Sequence, residues 1–206
     1  MRPAAALALL ALSMACVPAS ADERMDISLK HGSAAEQQTR TQLQGLLQHY
    51  DLSPYIYTRD IVIDQDAIPH SHPVLTLHTR HLKQDDELLA TFVHEQAHWF
   101  VAAHEDAEAK AEQEYRALYP KVPVGYPEGA QDEQSTYLHL TVCYLEYQGM
   151  KKLVGAEQAR ATMEFWAKDH YTWVYKTLLS DEAKIGAIVA HHDLLEVKPD
   201  TEPARM

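Results

Sequence analysis

The chain has 206 residues, 46% hydrophobic and 23% charged, which is enough apolar sequence to bury a core and too much for a disordered tail. Lys and Arg number 18 against 30 Asp and Glu, a formal net charge of -12, and this balance argues against a nucleic-acid partner held by phosphate contacts. The outlying count is that of histidine, 13 residues, and because imidazole is the commonest metal ligand the composition points toward a metal.

Residues 1–21 have the pattern of a signal peptide: Arg2, an apolar run from Ala4 to Ala15, and the small-x-small cleavage site Ala19-Ser20-Ala21. That run is too short to span a bilayer, and no later stretch approaches the roughly 20 apolar residues of a transmembrane helix. The expectation is an exported protein, periplasmic or secreted, with lipid anchoring at Cys16 as the less favoured alternative because Ser13 stands where a lipoprotein signal usually has Leu. Removal of the signal leaves Cys143 as the single cysteine, so no internal disulfide forms and the thiol reads as a small buried hydrophobe.

From Ser33 to Tyr50, Leu43, Leu46 and Leu47 at helical spacing predict an amphipathic helix, ended by Asp51-Leu52-Ser53-Pro54. Tyr55 to Asp64, centred on Ile61-Val62-Ile63, and Val74 to His78 read as short strands, expected to form an antiparallel pair. Asp85 or Asp86 is expected to cap a long helix running on to Tyr119, where Pro120 stops it. Pro120 to Gly129 is a loop, Gln131 to Gln148 the next helix, Gly149 and Gly155 flank a break, and two helical stretches follow over 156–179 and 181–191. The tail 198–206 is polar and expected to be loose, which leaves one domain over 22–197. The expected fold class is α+β, mostly α-helical, with a small sheet early in the chain.

His94-Glu95-Gln96-Ala97-His98 matches the pattern H-E-x-x-H inside the long predicted helix. At about 100° per residue, positions four apart lie one above the other, so both imidazoles can reach one Zn²⁺ while Glu95 stands beside the open coordination position as general base. Three residues compete as third ligand. His104 lies at metzincin spacing, but Val101 replaces the glycine that would turn the chain, and in a continuous helix His104 faces away. On helix 131–148, Asp132, Ser135, His139, Cys143 and Glu146 share one face. His139 and Glu146 lie two turns apart, about 10 Å by helical rise, so only one of them ligates: His139 is preferred, Glu146 is the alternative, and the other stands behind a ligand or touches substrate.

This motif on a long helix, after two strands and before a helix carrying His139 and Glu146, resembles the zincin group of zinc metallopeptidases, in particular gluzincins. Ala90 to Trp99 and Ser135 to Glu146 also resemble exported bacterial proteins that carry the same motif. The resemblance covers about a third of the chain. It implies a zincin-like fold, an edge strand holding an extended peptide, a scissile carbonyl polarised by zinc, and Glu95 carrying the proton from the attacking water to the leaving amine. Tyr171, Tyr175, His170, His191 and His192 are candidate oxyanion donors or substrate contacts. His70, His72 and His78 suggest an accessory surface metal site, and the run from Glu105 to Glu114 a solvated helix face. The leading expectation is an exported zinc-dependent hydrolase acting on peptide or protein substrate. The alternatives are a non-catalytic metal-handling protein of the cell envelope and an interaction protein on a degenerate zincin scaffold.

Overall fold

The structure, a computed structural model, describes residues 25–195. The predicted signal segment and the tail from residue 198 lie outside the described residues. Three short strands come early, β1 (Asp26–Leu29), β2 (Asp60–Ile63) and β3 (Leu75–Leu77), with helix α1 (Ala34–His49) between the first two. Five helices follow: α2 (Asp85–Ala102), α3 (Glu105–Leu118), α4 (Glu133–Val154), α5 (Ala156–Asp169) and α6 (Thr172–His191). Among the described residues no helix is long and apolar enough to cross a membrane.

The sheet is parallel in both pairings, with strand order β1-β2-β3, and this corrects the expected antiparallel pair. An antiparallel pair needs a hairpin, whereas residues 64–74 carry the chain back to the starting side and α1 returns it from β1 to β2. Ile61, Ile63, Leu75 and Leu77 are buried beneath the helices. β3 lies at the sheet margin, yet its outer edge is not open. Thr76 exchanges both backbone hydrogen bonds with His70, at 2.8 and 3.2 Å, so the edge strand implied by the zincin resemblance is already paired.

Helix α1 begins in a capping box: Ser33 Oγ accepts from Glu36 N at 3.2 Å and Glu36 Oε2 accepts from Ser33 N at 3.3 Å. Leu43, Leu46 and Leu47 face the core as their spacing predicts. The long helix expected from Asp85 to Tyr119 is two helices, and α2 starts from Gln84 without a side-chain cap rather than from an aspartate. His104 Nδ1 bonds Phe100 O at 2.7 Å, taking the carbonyl that its own backbone N–H would use in a continuous helix, and that N–H turns to Val101 O instead.

Gly149 does not break α4, which runs through it to Gly155. There the missing side chain lets α4 close on α2: a Cβ would stand 3.2 Å from Val93 Cγ1 and 3.1 Å from Tyr55 Cε1. The helices α5 and α6 divide at His170–Tyr171 rather than near Ser180, where Asp181 (φ -120°, ψ 25°) only kinks α6. Cys143 is fully buried, as expected.

Candidate metal centre

α2 and α4 pack side by side, and their facing surfaces bring His94, His98 and His139 together. One ring nitrogen from each lies within 4.8 Å of the others, with ring centroids 5.0 to 5.6 Å apart. Two of the rings are oriented from behind. His94 Nδ1 lies 2.9 Å from Glu146 Oε2, and His139 Nδ1 lies 2.5 Å from the Ser135 carbonyl one turn earlier on α4. An Nδ1–H donated to an oxygen acceptor leaves Nε2 as the lone-pair nitrogen in both rings, the arrangement a metal-binding histidine uses.

Burial holds all three imidazoles neutral: it lowers His94 to about 4 and, with His94 adding, His139 to about 3, while His98 falls well below the ordinary value. Neutral, pre-oriented imidazoles are the form a borderline divalent cation takes up without first displacing a proton. The donor set therefore fits Zn²⁺ through His94, His98 and His139. Glu146, the alternative third ligand, stands behind His94. Its Oε2 accepts from Tyr175 Oη at 2.8 Å and faces His94 Nδ1 at 2.9 Å, and burial, opposed by the Tyr175 hydrogen bond, pushes the carboxyl up to about 8.

The three histidines line a cleft of about 630 Å³ together with Glu95, His170 and Tyr171. Glu95 is 5% exposed, and burial, with Glu146 adding, raises its carboxyl to about 8, a value suited to a proton carrier near neutral pH. Its neighbour Gln96 anchors the motif. Gln96 Oε1 accepts from Tyr57 N and Thr58 N, and its Nε2 donates to Thr58 O, which ties α2 to the segment leading into β2. Trp99 Nε1 donates to Ser71 O at 2.9 Å, and the His72 ring stacks on Trp99 at 4.2 Å; together these hold the 68–72 segment along the cleft.

Tyr171 opens α6 in the left-handed region (φ 46°, ψ 40°), a conformation that costs a non-glycine residue about 1–2 kcal/mol. Carbonyls of the 120–132 loop fix it there: Thr172 N donates to Pro127 O and Trp173 N to Glu128 O. The result is a phenol ring packed 4.2 Å from the His139 ring. Burial, with Cys143 and Glu95 adding, pushes that phenol up to about 12, so it stays protonated and able to donate. Tyr175 also lines the cleft, but its hydroxyl is committed to Glu146.

His191 is not part of this site. With His192 it bonds Glu114 at the far end of α6 and does not line the cleft. His104 is turned back onto Phe100 and joins no ligand group among the described residues. Nor are His70, His72 and His78 gathered into a ligand group among the described residues: His70 Nδ1 is paired with Ile68 O, His72 Nδ1 with Ser71 Oγ, and His78 Nδ1 with Arg80 N.

Of the other candidate donors, His170 does line the cleft, and it is backed by two groups that no local pattern announces, Asp169 and Arg80. Arg80 Nη2 contacts Asp169 Oδ1 at 2.6 Å, and Asp169 Oδ2 contacts His170 Nδ1 at 2.9 Å, which leaves His170 Nε2 for a ligand of the cleft. The Arg80–Asp169 contact joins positions 89 residues apart; the one available signal was the adjacency of Asp169 and His170. Comparison of the chain with protein-family models, with curated proteins and with solved structures found no match in any of the three.

Proposed function

We propose that the protein is an exported zinc-dependent hydrolase of zincin type, a peptidase, with His94, His98 and His139 as ligands. The observation that carries this reading is the convergence of three neutral imidazoles, two held through Nδ1, beside the buried carboxyl of Glu95. Zinc, when bound, supplies a Lewis acid that acidifies water and polarises a carbonyl. Glu95 takes the proton of the attacking water and delivers it to the leaving amine. Tyr171, protonated and packed against His139, donates to the developing oxyanion. Glu146 acts through His94 by fixing its tautomer, and His170, backed by Asp169 and Arg80, accepts from a substrate N–H. The substrate contacts the Ile68–Ser71 segment and the Tyr126–Gln131 loop, which both contribute to the lining of the cleft.

The test is Glu95→Gln, assayed beside the parent on a peptide library with zinc content measured by elemental analysis. The variant should keep zinc and fold, and lose about 10²–10⁴-fold in turnover. Equal turnover by parent and variant would refute the mechanism. Zinc binding with no turnover by either protein would leave a metal-handling protein instead.

A further inference from the structure

The end of α6 gathers a second set of ligand atoms, from Glu114, His191 and His192, within 4.8 Å of one another. His191 Nδ1 and His192 Nε2 each lie 2.8 Å from the same carboxylate oxygen, Glu114 Oε1. Consecutive residues in a helix point about 100° apart and do not normally converge on one atom. They converge here because α6 ends between them: His191 is its last residue, and His192 has left the helix at φ -104°, ψ 17°. The turn is anchored rather than frayed. Leu194 is fully buried and its backbone N–H bonds Val189 O, with Asp193 at φ 54° between.

We propose that Glu114, His191 and His192 form a second metal site, on the surface between α3 and the end of α6, for a divalent transition cation of the zinc, nickel or copper kind. Two imidazoles and one carboxylate are the donor set such ions prefer. Tetrahedral zinc with bonds of about 2.0–2.2 Å sets its ligand atoms roughly 3.3 Å apart, so the donors must open from their hydrogen-bonded spacing by about 0.5 Å. His191 and Glu114 are partly solvent-exposed and free to make that adjustment. A bound cation would take the place of the hydrogen bonds at Glu114 Oε1, each neutral imidazole ligating through the nitrogen that now faces Glu114 and carrying its N–H on the other ring nitrogen. The carbonyls at the C-terminus of α6 add the negative end of the helix dipole, which favours a cation. The site shares no residue with the cleft. It would clip α3 to α6, so occupancy should stabilise the fold by linkage.

The probe is zinc, titrated into purified untagged protein, with stoichiometry read by native mass spectrometry and calorimetry and with melting temperature followed in parallel. The parent should bind one equivalent more than His191→Ala/His192→Ala. In a His94→Ala/His98→Ala background, excess zinc should still raise the melting temperature by several degrees, and Glu114→Ala should abolish that rise. Glu114 is partly exposed on α3, so this last variant removes a ligand without opening the core. An equal number of zinc ions bound by parent and His191→Ala/His192→Ala would overturn the proposal. The cleft reading fails separately, if His94→Ala/His98→Ala leaves the stoichiometry unchanged.

Discussion

Glu146→Gln separates a ligand from the group that positions one. In the metal-free protein at pH 7 the Glu146 carboxyl, raised to about 8 by burial, is mostly protonated, so a neutral amide of the same shape should change fold stability by no more than about 1 kcal/mol. The amide oxygen can still accept from His94 Nδ1 and Tyr175 Oη, which both use Oε2 in the parent, but the amide cannot ionise, so it cannot place a negative charge behind the imidazole when a cation is bound in front of it. Loss of such a partner costs about 10–100-fold in metal affinity, or about 1.4–2.7 kcal/mol. On the proposed assignment, His139→Ala removes a ligand. Four protein ligands hold structural zinc with about 10–16 kcal/mol, so one share is about 2.5–4 kcal/mol, or about 10²–10³-fold. Competition with a chromogenic chelator in zinc buffer at pH 7 measures both. Tyr175→Phe belongs in the same series, because its effect should largely vanish in the Glu146→Gln background if both act through one hydrogen-bond chain. A loss in Glu146→Gln as large as that in His139→Ala would make the carboxylate a ligand and refute the assignment. Parental affinity in His139→Ala would dismiss the three-histidine cluster.

Glu108 is buried on α3 with neither carboxyl oxygen hydrogen-bonded, and burial raises it to about 8 from an ordinary 4.5. The folded chain therefore keeps a proton that the unfolded chain loses, and the stability this group contributes is complete below about pH 4.5 and is lost as pH rises to about 8. Glu108→Gln should exceed the parent by about 3 kcal/mol at pH 7 and by little at pH 4, as read from urea midpoints; parallel pH profiles would refute it. Gly149→Ala sets up a contest between about 1 kcal/mol of helix propensity and about 1–3 kcal/mol of overpacking against Val93 and Tyr55. Because Val93 precedes His94, net destabilisation together with weakened zinc binding is expected. A more stable variant with unchanged affinity would show that α2 yields freely.

Much of the site was legible because a helix imposes its own period. His94 and His98 fall on one face whatever surrounds them, and the stripe Ser135, His139, Cys143 and Glu146 marked the side of α4 that turns toward α2. The choice between His139 and Glu146 was not legible. It depends on how far α4 is displaced along α2, which the contact of Gly149 with Val93 helps to set. The division at His104 was hidden for a different reason: the propensities of Val101, Ala102 and Ala103 favour continuing the helix, and one side-chain bond to Phe100 O outweighs them.

By itself the sequence determined which stretches are helical, though not where they divide, together with the buried stripe of α1 and the turn of helix that carries two imidazoles and a carboxylate. These depend on interactions among residues at most four or five positions apart. Tertiary structure alone decided the direction of the strands, the pairing of β3 with His70, the chain Arg80–Asp169–His170, and the return of His191 to Glu114. Each of these joins segments that meet only when the core closes. Their register is set by where Leu, Val and aromatic side chains find space, and no local period in the chain encodes that.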